Sequence, residues 1–439
     1  MRRFNDCTWL EAAEAILAMT GRLTVLKSAA VDEPMLQLAR CMRSLLQGDI
    51  RSAADASFDM TSALLAGEAR RVSGDLFRDY LLHRLLIVPN AFSQMAAANR
   101  LDEALYNAMR TDMGILYELM GLDSGSLYRY IQDRYKELRS KGRPGVDDAT
   151  RFASAAWGGA APRPRQEESF TVPTLPAMLP EAAPVWHYGE EEMRGSYAAD
   201  EALEEMYHRL LEGGMDWSAM TEDLWNFFAS YGTGEFLQYR AFMLRGGALE
   251  PMGELRSDNA FPLLEREYKR CLDHCIEFMR GSGAEPLLIL GGEGMGKTTM
   301  LFSLADELPE MRLIYVPECR SAASLQPLFN KLAGQPLKFM VAVDEPAVRG
   351  FAVRSIPVNV LLVVTDRPTG SGDRGMFTEC VVLPKLQLDP FADTVQKLLD
   401  ARGVTMPREV VRSACLDHQV DSKGELTVAA AVAVAESLS

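Results

Sequence analysis

This sequence has no long apolar run, no excess of positive charge and no even number of cysteines. No run of apolar residues approaches the length of about 18 residues that a membrane-spanning helix needs, so the sequence predicts no transmembrane segment. The 439 residues include 46 Lys and Arg against 61 Asp and Glu, which gives a net charge of −15. Because proteins that bind nucleic acid nonspecifically neutralise its phosphates with basic side chains, this balance disfavours a nucleic-acid partner.

The seven cysteines are odd in number and scattered along the chain, which predicts free thiols in a reducing compartment. The arginines near the N-terminus are followed by acidic residues instead of the apolar stretch of a signal peptide, so we expect a cytoplasmic protein. Cys271 and Cys275 would share one face of a helix. We interpret them as core residues, because no second pair of ligands lies nearby in sequence to complete a metal site.

The spacing of apolar residues divides the chain into a helical first part and an α/β second part. A length of 439 residues exceeds what one hydrophobic core supports. Helical spacing predominates up to about residue 244, and short apolar runs alternate with helical segments after Pro286. We predict a helical N-terminal domain (1–140), a Pro/Ala/Gly-rich linker (141–199), a helical segment packing with the N-terminal domain (200–245), an α/β core (246–386) and a final helical part (387–439).

Five strands are predicted in the α/β core, near 286–291, 312–317, 339–344, 359–365 and 379–384. Their alternation with helical segments predicts a parallel sheet with helices on both faces. The aromatic-rich stretch from 217 to 242 has few basic residues between its rings. We therefore interpret this stretch as buried packing and not as a platform on which bases stack.

A glycine-rich loop carries the strongest chemical signal in the chain. It follows the first predicted strand, precedes a helical pattern and reads Gly291-Gly292-Glu293-Gly294-Met295-Gly296-Lys297-Thr298. This is a complete Walker A motif, whose backbone N–H groups surround phosphates at the N-terminus of a helix. We expect these eight residues and Thr299 to bind ATP, Lys297 to act catalytically on the β- and γ-phosphates, and the Thr298 hydroxyl to coordinate Mg²⁺.

Two carboxylates end the third predicted strand, as in a Walker B motif. The strand Phe339 to Val343 is followed by Asp344 and Glu345. Ligands of α/β proteins bind at the carboxyl ends of the strands, so these carboxylates belong beside the loop. We expect Asp344 to hold Mg²⁺ with Thr298, and Glu345 to orient or deprotonate the attacking water as a catalytic residue.

The next strand ends in Thr365, Asp366 and Arg367. A polar residue at this strand end would lie beside the γ-phosphate, so Thr365 and Asp366 are candidate nucleotide ligands, with plain strand-end residues as the alternative. A carboxylate in this place repels phosphate unless a metal ion or an arginine neutralises it.

The order of these motifs, with an Arg before the last strand and a small helical part after it, resembles an AAA+ ATPase module. More narrowly, the chain resembles the bacterial domain-of-unknown-function 815 family of AAA+-like ATP-binding proteins. The resemblance covers most of the chain. Besides the Walker A loop, Phe339 and Asp344, it is carried by Trp217, Leu224, Phe227, Phe228, residues 231–236, 239–242 and 249–252, and Gly372-Asp373-Arg374-Gly375.

This resemblance implies an α/β P-loop NTPase of the AAA+ type, with a parallel five-stranded sheet and a helical lid at 387–439, preceded by an all-α domain. It also implies that Arg374 acts as an arginine finger on a neighbouring subunit's nucleotide, with Arg367 as the second candidate and an exposed loop arginine as the alternative. Three departures from the family predict slow or switch-like turnover. The segment between Thr365 and Arg374 is short, and the Ser-Asn-Arg-Arg run that follows Thr in the family is reduced to Asp366-Arg367-Pro368. Lys423 stands where the lid is expected to carry an arginine.

We therefore expect Mg²⁺-dependent ATP binding and slow hydrolysis, coupled to a conformational change that acts on a protein partner or within a homo-oligomer. Two alternatives stay open. The first is a scaffold or switch that binds ATP without hydrolysing it. The second is a DNA-associated loader or remodeller, and the negative charge of the chain disfavours this one.

Overall fold

A computed structural model describes most of the chain, in two compact units that are described separately below. Of the described residues, those up to Phe228 belong to the first unit and those from Ala229 onward to the second. The domain boundaries expected from the sequence stay predictions. The described residues are 4–100, 102–141, 185–189, 201–212, 214, 216–253, 264–281, 285–319, 321–344, 353, 355–368, 376–421 and 426–439.

Among the described residues of the first unit, the regular elements are helices, apart from one isolated β-bridge. Several helices begin at a side chain that caps the free N–H groups of the first turn, and Thr8 and Glu11 form a full capping box at the first of them. The helices are α1 (Trp9–Arg22), α2 (Glu33–Gln47), α3 (Ile50–Ala66), α4 (Leu76–Leu86), α5 (Ala91–Ala97), α6 (Glu103–Leu119), α7 (Ser124–Lys141), α8 (Glu201–Glu212) and α9 (Thr221–Tyr231), the last of which runs into the second unit.

A short piece of the predicted linker, residues 185–189, packs on the first unit. Trp186 is almost fully buried, and its indole N–H donates to the Thr61 hydroxyl at 3.0 Å. The Leu76 N–H donates to the Trp186 carbonyl, and Asp75 pairs with His187 in an antiparallel bridge. These five residues are therefore fixed against the N-terminus of α4.

The second unit is built on a seven-stranded, mostly parallel sheet, where five strands were expected. Its strands are β1 (Ala241–Arg245), β2 (Ala248–Pro251), β3 (Leu287–Leu290), β4 (Met311–Val316), β5 (Lys338–Asp344), β6 (Val360–Asp366) and β7 (Glu379–Val382), in the spatial order β2-β1-β4-β5-β6-β3-β7. All neighbouring pairs are parallel except β1 with β2. The expected five strands are present, and the count was wrong by two.

The two additional strands form a hairpin that the sequence pattern concealed. Strand β1 lies at the end of a segment that was predicted to be helical, because its aromatic residues also match helical spacing. Gly246 and Gly247 join β1 to β2, with φ angles of 56° and 88°. Two consecutive residues with positive φ are typical of the tight turns that match the twist of a hairpin, and glycine adopts them without steric cost.

Helices cover both faces of the sheet. Helix α10 (Glu265–Met279) and α11 (Lys297–Glu307) bury residues such as Phe278 and Leu301 against one face. Helix α12 (Gln326–Ala333) buries Phe329 against the other face. Because successive strand residues point to opposite faces, the continuous apolar runs of β5 and β6 supply both cores.

Three helices follow the sheet and share a core of their own. They are α13 (Leu388–Ala401), α14 (Arg408–Asp421) and α15 (Val428–Leu438). Phe391, Val395, Val411 and Ala431 are fully buried in this core. Among the described helices of both units, none is long and apolar enough to cross a membrane.

Candidate nucleotide site

The Walker A residues form a loop between the end of β3 and the start of α11. Gly294 and Gly296 have φ angles of 70° and 80°, which only glycine adopts readily. The Gly291 N–H donates to the carbonyl of Asp366 at 3.1 Å, so the first residue of the loop is fixed to the end of β6. Met295 is 5% exposed and packs into the core below the loop, while Thr299 lies in the first turn of α11.

Lys297 lies inside the curve of this loop and is only 6% exposed. Its ammonium group donates to the carbonyl oxygens of Gly291 and Gly292 at 2.9 and 3.0 Å. Burying an ammonium group is costly unless acceptors compensate its lost hydration. The loop therefore holds a positive charge at the place where the motif requires one for the β- and γ-phosphates.

Asp344 receives three hydroxyl groups from three different elements. Its Oδ2 atom accepts from the Thr298 hydroxyl at 2.7 Å and from the Tyr315 hydroxyl at 2.8 Å, and its Oδ1 atom accepts from Thr365 at 2.5 Å. Thr365 is fully buried, so it meets Asp344 inside the protein. These three are the partners of Asp344 among the described residues, and all of them are neutral.

Tyr315 was not identified from the sequence. Burial raises the pKa of its hydroxyl, and the hydrogen bond to Asp344 and the negative charge of that carboxylate raise it further, so the group remains a donor at neutral pH. A tyrosine in a mostly apolar strand looks like an ordinary core residue. Only the pairing of β4 with β5, which sets Tyr315 beside Ala342, brings it to Asp344.

Asp366 turns its side chain back to the backbone. Its Oδ1 atom accepts from the Arg367 N–H at 2.7 Å, and its carbonyl accepts from Gly291. The Arg367 guanidinium lies 3.2 Å from the carboxylate of Glu293 in the loop. Arg367 therefore contacts the Walker A loop of its own chain, and the structure offers a basic group beside the two acidic residues that flank the site.

The last helix touches the loop through its N-terminus. Thr427 caps α15 by accepting from the Ala430 N–H, and the Ala429 N–H donates to the carbonyl of Gly294 at 3.0 Å. A Cβ atom on Gly294 would lie 3.1 Å from the Thr427 hydroxyl oxygen. The glycine is therefore required both for its φ angle and for the close approach of α15.

Three expected functional residues, Glu345, Arg374 and Lys423, lie outside the described residues. Cys271 and Cys275 lie on α10 and are fully buried, and burial raises the pKa of the Cys271 thiol to about 12. In the described part of the chain, no cluster of His, Cys, Asp and Glu is arranged to hold a metal ion by itself.

The residues fit Mg²⁺ and a nucleoside triphosphate. Thr298 and Asp344 offer hard oxygen ligands, and Mg²⁺ prefers one or two carboxylates together with substrate phosphates to an all-protein cage. Lys297, the loop N–H groups and the N-terminus of α11 offer positive charge and hydrogen-bond donors for the phosphates.

Known proteins show little similarity to this chain. No family model matches the sequence, and no curated protein matches it. The structure is similar to RuvB from Thermotoga maritima, a Holliday junction branch migration motor. The sequence identity is 14%, the match covers 40% of this chain and 69% of that chain, and the TM-score is 0.27. A lysine-to-arginine mutant of that RuvB gives 16% identity over 42% and 73%, with a TM-score of 0.29. Scores this low assign no function.

Proposed function

We propose that this chain is an ATP-binding P-loop protein that hydrolyses ATP slowly in the presence of Mg²⁺. One observation supports it above all, the 2.7 Å hydrogen bond between the Thr298 hydroxyl and the Asp344 carboxylate beside the Lys297 loop. These two oxygen groups are the Mg²⁺ ligands that P-loop proteins use, and in this chain they lie next to a buried cation that suits phosphate.

Each group in the site has a defined task in this proposal. The loop N–H groups and Lys297 bind and orient the phosphates, and Thr365 and Tyr315 hold Asp344 in place. Bound Mg²⁺ supplies positive charge that offsets the charge on the β- and γ-phosphate oxygens. Glu345, the residue after Asp344, is proposed as the base that orients water, and Arg374 as the finger from a neighbouring subunit.

The contact between α15 and the loop supports coupling of ATP to movement. Ala429 and Thr427 lie against Gly294, so a change in the loop on phosphate binding would displace the helix that begins there. We propose that the final helices move as a lid and act on a protein partner. The second candidate function is a scaffold that binds ATP without hydrolysing it. Action on DNA is disfavoured by the net negative charge of the chain.

Phosphate release with Mg²⁺-ATP tests the proposal. We expect slow release by the wild type, at least about tenfold less with Glu345→Gln and none above background with Lys297→Ala. Glu318→Gln is the control, because Glu318 is also a glutamate beyond a strand end but lies two residues after β4, and it should release phosphate at the wild-type rate. Tight ATP binding with phosphate release by the wild type no higher than background would overturn hydrolysis and leave the scaffold function.

A further inference from the structure

A cavity of about 380 Å³ opens on the first unit, and none of the residues of the nucleotide site line it. Helices α6 and α9 line it with two carboxylates, two aromatic rings and two amides, contributed by Glu103, Tyr106, Asn107, Glu222, Trp225 and Asn226. This set of residues is named the acidic pocket below. Its size is that of a single long side chain or a small organic molecule.

The aromatic walls of the acidic pocket are fixed from beneath by Phe92. This residue of α5 is fully buried, and its ring meets the Trp225 ring edge-on at 5.4 Å between centroids. It also contacts the Tyr106 ring at 6.2 Å. Both partly exposed rings are therefore held in place by packing, which lowers the entropy that a ligand would lose by ordering them.

The carboxylates of the acidic pocket lie in the first turns of α6 and α9, where their charge suits the helix N-termini, but they have no side-chain partner in the described part of the chain. Glu103 and Glu222 are exposed, and across the described ranges neither forms an ion pair or a side-chain hydrogen bond. Acidic side chains next to them in sequence do have partners, as Asp102 does at the cap of α6 and Asp223 does with Arg209. Two unpaired carboxylates beside two aromatic rings form a site for an organic cation, because both groups attract positive charge.

We propose that the acidic pocket binds an arginine side chain presented by a basic segment of a protein partner. A guanidinium group is planar and stacks on an aromatic ring, and it donates two parallel hydrogen bonds to a carboxylate, which a lysine ammonium group cannot do. The amide oxygens of Asn107 and Asn226 can accept its remaining N–H groups. The first 245 residues carry 35 acidic against 26 basic side chains, which favours approach of a basic segment.

This site extends the proposed function by giving the chemistry of the partner, yet it does not depend on nucleotide binding. The test uses the full chain and three capped tripeptides, Gly-Arg-Gly, Gly-Lys-Gly and Gly-citrulline-Gly, with guanidinium chloride as the free cation. Citrulline has the shape of arginine without its charge. Binding is followed by the NMR signal of the Trp225 indole N–H at low salt.

We expect the arginine peptide to bind at least about tenfold more tightly than the citrulline peptide and more tightly than the lysine peptide. The Glu103→Gln/Glu222→Gln variant should lose about tenfold in affinity, since glutamine keeps the size of glutamate but not its charge. The control Glu14→Gln/Asp55→Asn removes two exposed carboxylates elsewhere on the unit and should bind as the wild type does. Lys297→Ala should also bind the peptide normally, whether or not it binds ATP.

Three results would overturn the proposal. Equal affinity for the arginine and citrulline peptides would show that charge is not recognised, and an equal loss in both double variants would show only a general effect of net charge. Binding of free guanidinium as tight as that of the arginine peptide would assign the pocket to a small cation and not to a protein segment.

Discussion

Asp344 is the residue on which the candidate site is centred, because side chains from three elements converge on it. Thr298 comes from the Walker A helix, Tyr315 from β4 and Thr365 from β6. Groups that orient a metal-binding carboxylate matter almost as much as the carboxylate itself. This makes the hydroxyl of Tyr315 a residue-level test of the proposed Mg²⁺ site.

Replacing Tyr315 with Phe removes one hydrogen bond and leaves the ring. We expect the Mg²⁺ concentration for half-maximal ATP binding to rise about tenfold, because Asp344 is then less firmly oriented. Tyr268→Phe is the matched control, since the Tyr268 hydroxyl donates to the Glu307 carboxylate in the same unit. A Mg²⁺ requirement that both variants share would show that Tyr315 has no special part in the site.

Asp79, in the first unit, leads to a prediction of how the stability of the protein depends on pH. Burial raises the pKa of this carboxyl above its ordinary value of 3.8, although hydrogen bonds from Tyr188 and Ser73 oppose the rise. The folded state then binds its proton more tightly than the unfolded state does. The stabilisation that follows is complete at low pH and is lost as pH rises through the raised pKa.

We therefore expect the wild type to lose stability relative to Asp79→Asn as pH rises from about 4 to about 7. The measurement is the difference in the free energy of unfolding between the two proteins, from urea titrations across this range. A difference that grows in favour of the wild type with rising pH would contradict the expected direction.

At the scale of elements, the contact between α15 and the Walker A loop is the feature that would join a bound nucleotide to the proposed lid. It depends on Gly294, whose φ angle of 70° and lack of a Cβ atom let the Thr427 hydroxyl and the Ala429 N–H come close. Gly246, in the β1–β2 turn, also has a positive φ, but a Cβ atom there would meet nothing within 4 Å. Replacing each of these two glycines with alanine therefore separates the effect of backbone strain from the effect of losing the contact with α15.

Gly246→Ala should cost about 1 kcal/mol in stability from backbone strain alone and leave ATP binding unchanged. Gly294→Ala should cost a similar amount and in addition weaken ATP binding at least about tenfold, because the loop and α15 must move apart. Urea denaturation and calorimetric titration with Mg²⁺-ATP measure the two effects. Normal ATP binding by Gly294→Ala would show that the contact does not shape the nucleotide site.

The strands of the sheet also show how much of the fold could be predicted from the sequence. The five buried parallel strands were predictable, because continuous apolar runs between loop residues have few other structures open to them. The β1–β2 hairpin was not, since Phe242 and Leu244 lie among aromatics that suit a helix equally well. Likewise, Thr298 and Asp344 are identified by their motifs, whereas Tyr315 reaches the site only through strand pairing.

At the scale of the whole molecule, the proposal places ATP in the second unit and recognition of a partner in the first. An arginine finger at Arg374 would need a neighbouring subunit, whereas Arg367 already contacts Glu293 of its own loop. We expect light scattering to show an oligomer with Mg²⁺-ATP, and to show a smaller mass without nucleotide. A monomer of 48.6 kDa in both conditions would remove the role of Arg374 in trans.

The central claim is that the loop around Lys297 binds Mg²⁺-ATP, and calorimetric titration of the purified chain with Mg²⁺-ATP tests it most directly. The wild type should bind one ATP per chain, and Lys297→Ala should bind about 10- to 100-fold more weakly, since it loses charge-assisted hydrogen bonds to phosphate. The exposed Lys397 provides the control, and Lys397→Ala should bind as the wild type does. No binding by the wild type at millimolar ATP, or equal binding by Lys297→Ala, would contradict the account.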